Sequence, residues 1–151
     1  MNKILLVNGP NLNLLGVREK EKYGEMSFES LIKDLKKDAA SKKLELKDFQ
    51  SNHEGALIDF IQAEGRTAAA MVINPGGFTH TSVALRDAIL AVSLPFVEVH
   101  ITNIYQREEF RARSYFKDIS IGQIVGLGTY GYFLALSFIE QKIEKGESFR
   151  P

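Results

Sequence analysis

Strand-like and helix-like patterns alternate along this chain from end to end, and that alternation restricts its fold more than any other feature. The apolar run over residues 4–7 reads as a first strand. Ser27 suits an N-cap, and Leu31, Ile32 and Leu35 give the following helix an apolar stripe. Residues 44–49 alternate apolar and polar side chains, as a half-exposed edge strand does. Leu57, Ile58 and Ile61 share one side of a helix over about 54–63, and residues 68–73 form a third strand. Thr81 or Ser82 opens a helix that turns Val83, Leu85, Ala88, Ile89 and Val92 inward. After Pro95 comes strand four, 96–99, and then a short charged helix over 106–113. Strand five covers 122–125, and the last helix about 130–145.

Helices between successive strands are what parallel pairing requires, so five strands predict an α/β doubly wound sheet. A flavodoxin-like three-layer fold with strand order 2-1-3-4-5 places the alternating second strand at an edge. The 151 residues suit one catalytic domain with a sizeable core. The exception to compactness is the glycine-bounded, charged stretch at about 16–25, which reads as a solvated loop or as a mobile lid over a site.

Composition narrows the function. Nineteen acidic and nineteen basic residues cancel, so no field is built for nucleic acid or an anionic membrane. With no cysteine, disulfides, thiolate chemistry and cysteine metal sites drop out. No apolar stretch approaches the roughly 20 residues of a membrane span, and the opening apolar run is too short for a signal peptide. The expectation is a cytoplasmic protein.

Chemistry is concentrated where strands three and four stop. The first carries Asn74-Pro75-Gly76-Gly77-Phe78-Thr79-His80, the second Glu98-Val99-His100-Ile101-Thr102-Asn103. Ligands of open α/β sheets bind at the carboxyl ends of strands, and polar groups crowded there cost free energy unless partnered. Glu98 and His100 are two apart on one strand and share a face, where a carboxylate orients an imidazole for acid or base work. His80 lies ahead of a helix N-terminus. His53, beside Asn52 and Glu54, reads as a capping residue. Three histidines without metal-ligand spacing argue against a metal site. Arg107 and Arg111, four apart, face a cleft or solvent, while Glu109 and Arg113 can pair with each other. The turn after strand one, Gly9 to Gly16, lacks the GxGxxG spacing and the hydroxyl-rich loop of nucleotide and flavin sites. A phosphoacceptor receiver domain would need acidic residues where this chain has Asn8-Gly9.

Together these motifs resemble the type II 3-dehydroquinate dehydratases. The resemblance runs through Asn8-Gly9-Pro10-Asn11-Leu12-Asn13, Leu15-Gly16, Tyr23-Gly24, Ser51-Asn52-His53-Glu54-Gly55, the loop from Asn74 to Ser82, Glu98 to Asn103, Arg107-Glu108, Arg111, Ser114 and the turn from Gly126 to Gly131. It implies dehydration of 3-dehydroquinate to 3-dehydroshikimate by anti elimination through an enolate, without metal, cofactor or Schiff-base lysine. By position, Tyr23 is the proton acceptor, Arg18 favours its ionisation and steadies the transition state, and His100, held by Glu98, is the proton donor. Asn11 positions a water at the enolate oxygen, and Arg107 supports Tyr23. Asn74 and the Ile101-Thr102 segment take the substrate carboxylate, His80 and Arg111 take ring hydroxyls, and Asp87 reaches a neighbouring subunit's site. The implied assembly is a homododecamer, a tetramer of trimers.

The size of the demand on Tyr23 is reasonable. A free tyrosine ionises near pH 10, so a base at neutrality needs roughly 3 to 4 kcal/mol of help. One guanidinium about 4 Å away supplies about 4 kcal/mol at an effective dielectric of 20. Lid closure would strengthen that attraction by excluding water.

Overall fold

The computed structural model describes residues 1–17 and 26–149. Arg18, Tyr23 and all but the first two residues of the expected lid lie outside them. Five strands, β1 (Asn2–Asn8), β2 (Leu44–Gln50), β3 (Ala70–Asn74), β4 (Phe96–His100) and β5 (Gly122–Val125), pair in parallel in the order β2-β1-β3-β4-β5. Four helices connect or follow them: α1 (Phe28–Ser41), α2 (Glu54–Glu64), α3 (Val83–Val92) and α4 (Tyr130–Glu144). The expected α/β class and strand order are both realised.

The period of two along each strand divides the interior into two layers. Ile4 and Leu6 of β1, Ala70 and Val72 of β3, and Val97 and Val99 of β4 face α1 and α4, against Leu31, Leu35, Tyr132, Ala135 and Ile139. The intervening Leu5, Val7, Met71, Ile73 and Phe96 face α2 and α3, against Leu57, Ile61, Leu85 and Ile89. The same parity decides where the polar strand ends point. Asn8 and Asn74 fall on the α4 side, whereas Glu98 and His100 continue the Phe96 row on the α3 side.

Ser27 caps α1 by accepting from the Ser30 N–H at 3.1 Å, and Ser82 caps α3 by accepting from the Leu85 N–H at 2.9 Å. The helix expected at 106–113 is not formed. Two short 3₁₀ turns, Ile104–Gln106 and Glu109–Ala112, replace it, separated by an extended Arg107. Its apolar residues are few and Phe110 is exposed, so no stripe is available to pack and fix a helix. Arg111 pairs with Glu108 at i,i+3 spacing, as a 3₁₀ turn favours, in place of the expected Glu109–Arg113 pair. Val83 is half exposed rather than inward, because it sits two residues, about 200° of turn, from the buried Leu85. His53 occupies the N-cap of α2 but makes no side-chain cap bond; instead its own N–H donates to Ser51 Oγ at 2.9 Å.

Gly9 is required by close approach. A Cβ there would stand 2.2 Å from the Pro75 carbonyl oxygen, because the chain after β1 lies directly on the chain after β3. The Gly9 N–H donates to the Asn74 carbonyl at 2.8 Å, so the two strand ends are bound together.

Candidate active site

The carboxyl ends of β1, β3 and β4 enclose a cleft of about 170 Å³. Its polar wall comprises Asn11, Asn74, His80, His100, Thr102, Arg107 and Arg111, and Leu12, Leu15, Ile101 and Ile104 supply apolar surface. Eight residues named from the sequence thus meet in one place: Asn11, Asn74, His80, His100, Ile101, Thr102, Arg107 and Arg111. Glu98 stands directly behind them. Asp87 lies on the exposed side of α3, away from this cleft.

Glu98 is fully buried and its carboxylate is surrounded by donors. His100 Nε2 lies 2.9 Å from Oε1. Ser114 Oγ donates to both oxygens at 2.9 and 3.0 Å, and Thr79 Oγ1 and Gln123 Nε2 donate as well. Burial alone would raise the Glu98 carboxyl. The hydrogen bond and charge of His100, with the bonds from Thr79 and Gln123, outweigh burial and hold it below the usual carboxylate range. An ionised carboxylate only accepts, so the proton between the pair is assigned to His100 Nε2, leaving Nδ1 as the ring nitrogen available to a ligand. The pair is built to hold one imidazole tautomer and to support positive charge on it.

His80 also lines the cleft, with Nδ1 2.6 Å from the Arg113 carbonyl. A carbonyl accepts, so the proton on Nδ1 is fixed and Nε2 is the acceptor for a hydroxyl. Desolvation lowers its proton affinity below the ordinary histidine value, with the charges of His100 and Arg111 acting the same way. Phe110 packs edge-on against His80 and lies under the Arg111 guanidinium, 5.0 Å from ring centre to Cζ. Arg107 Nη1 donates to Thr102 Oγ1 at 3.3 Å. Asn11 adopts a left-handed conformation, φ 70°, and its N–H donates to Asn52 Oδ1 at 3.0 Å. Gln50 Nε2 donates to the same Asn52 oxygen at 3.2 Å, so the end of β2 secures the turn after β1.

Sequence reasoning gave no role to Thr79, Ser114 or Gln123. Gln123 carried a readable signal, a lone amide in the strand that pairs with β4, and Glu98 is its register partner. Ser114 and Thr79 approach through loop packing, which strand periodicity does not encode. Among the described residues, no cluster of three His, Asp or Glu side chains is placed to hold a metal ion, and no helix is long and apolar enough to cross a membrane.

A parallel doubly wound sheet whose carboxyl-end cleft joins a carboxylate-held imidazole to arginines and amides defines an α/β protein equipped for acid–base chemistry on a small polar anion. The profile of the family described as dehydroquinase class II matches residues 2–140. The chain is 53% identical over 146 residues to a 3-dehydroquinate dehydratase of Halothermothrix orenii, covering 97% of this chain and 99% of that one. It is 55% identical over 144 residues to a catabolic 3-dehydroquinase 2 of Neosartorya fischeri, covering 95% of each. The crystal structure of a type II dehydroquinase from Butyrivibrio crossotus superposes with a TM-score of 0.88 at 47% identity, covering 91% of this chain and 97% of that one. The chain belongs to the class II dehydroquinase family.

Proposed function

We propose that this protein is a hydro-lyase that converts 3-dehydroquinate to 3-dehydroshikimate in the shikimate pathway, toward chorismate and the aromatic amino acids. The observation that carries the reading is the Glu98–His100 pair opening onto a cleft of matching polarity, in a member of this family. Elimination needs a base at the carbon beside the ketone and an acid at the departing hydroxyl, on opposite faces for an anti course. In this scheme Tyr23, its ionisation favoured by Arg18 and supported by Arg107, removes the C2 proton, and the electron pair passes into an enolate. The enolate then expels the C1 hydroxyl, which takes a proton from His100 Nδ1 and leaves as water. His100 returns to the neutral form with Nε2–H held by Glu98.

Binding roles follow from the same reading. Asn74 and the Ile101-Thr102 segment receive the substrate carboxylate, His80 and Arg111 receive ring hydroxyls, and Asn11 holds a water at the enolate oxygen. The chain would act as one catalytic domain, with residues 16–25 closing over the substrate, in a cytoplasmic homododecamer to which Asp87 contributes between subunits. No metal or cofactor enters the scheme. The test is ultraviolet absorbance on mixing the protein with 3-dehydroquinate, since the product is a conjugated enone. The reading expects the enone band to grow equally with and without EDTA. No band, or one abolished by EDTA, would overturn it.

A further inference from the structure

We infer that Tyr132 is a positioning residue that fixes the amide of Asn74 as a hydrogen-bond donor toward the anionic end of the substrate. Asn8 and Asn74 are register partners on adjacent strands, and both side chains fall on the α4 side of the sheet. Tyr132, in the first turn of α4, reaches between them and is buried with them. Its hydroxyl accepts from Asn74 Nδ2 at 3.0 Å and donates to Asn8 Oδ1 at 2.6 Å.

The direction of this relay is set at one end by backbone. The Gly76 N–H donates to Asn74 Oδ1 at 3.1 Å, and a peptide N–H cannot exchange roles. Gly76 is itself left-handed, φ 59°, a conformation glycine adopts without strain. Asn74 Oδ1 is therefore committed to the loop, and Nδ2 must face the phenol. The phenol oxygen, having accepted from Nδ2, spends its proton on Asn8. Burial keeps that phenol protonated, raising its ionisation far above the ordinary value. The Asn8 amino group is left buried without a partner among the described residues. Rotating Asn8 would bring two donors to the phenol oxygen and strand the hydroxyl proton instead, so one polar group goes unmatched either way.

The consequence lies in the cleft. Asn74 lines it, and of the two Nδ2 protons one is held by Tyr132. Without the phenol, the Gly76 bond alone would restrain the amide, and rotamers presenting Oδ1 to the cleft would become accessible. A carboxylate is repelled by Oδ1 and attracted by N–H. Tyr132 thus acts on affinity through Asn74 and touches no reacting atom.

This inference rests on the proposed dehydration and on Asn74 receiving the carboxylate. The experiment is steady-state kinetics with 3-dehydroquinate on the parent protein, Tyr132→Phe, Asn74→Ala and the double variant. In Tyr132→Phe, KM should rise about tenfold, equivalent to about 1.4 kcal/mol, with kcat within threefold and its pH profile unchanged. In the Asn74→Ala background the same change should leave KM unaltered, because its route of action is gone. A merely structural tyrosine would raise KM or lower kcat equally in both backgrounds. Asn8→Ala, at the far end of the relay, should raise KM a few-fold and keeps the inference testable if Tyr132→Phe does not fold. Absence of turnover in the parent would sink the functional reading and this inference with it. Turnover with unchanged KM in the folded Tyr132 or Asn8 variants, or equal effects in both Asn74 backgrounds, would sink the inference alone.

Discussion

Replacing Glu98 by glutamine separates the charge of that residue from its shape. The amide keeps one oxygen for His100 Nε2–H, and Gln123 can rotate its own amide so that its oxygen accepts from the new amino group. Thr79 and Ser114 retain an acceptor, so the packing around the site survives. What is lost is a full negative charge 2.9 Å from the ring nitrogen. Unit charges about 4 Å apart attract by about 4 kcal/mol at an effective dielectric of 20. That attraction stabilises the imidazolium from which the departing hydroxyl takes its proton, so about 3 to 4 kcal/mol is the expected added cost of holding His100 charged in the variant. That corresponds to a fall in kcat of about 100- to 1,000-fold. Folding stability should change far less, because removing the charge also removes its desolvation cost. The assay is enone absorbance under saturating 3-dehydroquinate, with thermal unfolding in parallel. A variant whose kcat stays within threefold of the parent would refute the idea that the buried carboxylate powers the acid.

Three further outcomes are expected. Both Glu98 and His80 have proton affinities lowered by folding, from ordinary values of 4.5 and 6.5, so the unfolded chain binds more protons as pH falls. Their contribution to stability should be complete above about pH 6.5 and should decline as acid is added, first through His80 and then through Glu98; urea midpoints across pH 4 to 8 should fall accordingly, and a flat profile would contradict the assignment. Phe116→Ala should cost about 3 to 5 kcal/mol in urea unfolding, since Phe116 is fully buried edge-on against Phe96, with ring centres 6.5 Å apart. Gly9→Ala should cost about 1 to 3 kcal/mol and depress turnover at least tenfold, because its Cβ would push away the Pro75 carbonyl and so shift Asn74 and Gly76, which flank Pro75 and line the cleft; near-parental values of both would show that this approach is not needed.

The fold was legible wherever one period dominates. Residues 4–7 and 68–73 are apolar on both faces and read as central strands, while the alternation at 44–49 marks the edge. Glu98 and His100 could be paired from the sequence because a two-residue step on a strand has a single geometric meaning. Charges spaced four apart at 106–113 resemble a helix face, but no apolar stripe accompanies them and two 3₁₀ turns form instead. Val83 is apolar but lies out of the phase set by Leu85, Ala88 and Ile89, so it is half exposed and not inward. Thr79, Ser114 and Tyr132 were not found because they reach their partners through loop packing and across layers, and such contacts leave no local period. Arg107 and Arg111 both line the cleft, Arg107 from the extended link between two 3₁₀ turns and Arg111 from the second turn, instead of from one helix face.

The most direct measurement compares turnover of 3-dehydroquinate by the unaltered protein with that by Tyr23→Phe and His100→Ala, each checked by circular dichroism for an intact fold. Both variants should stay folded and lose dehydration by several orders of magnitude, as an elimination that needs a base and an acid demands. Near-parental turnover in either one would contradict the account.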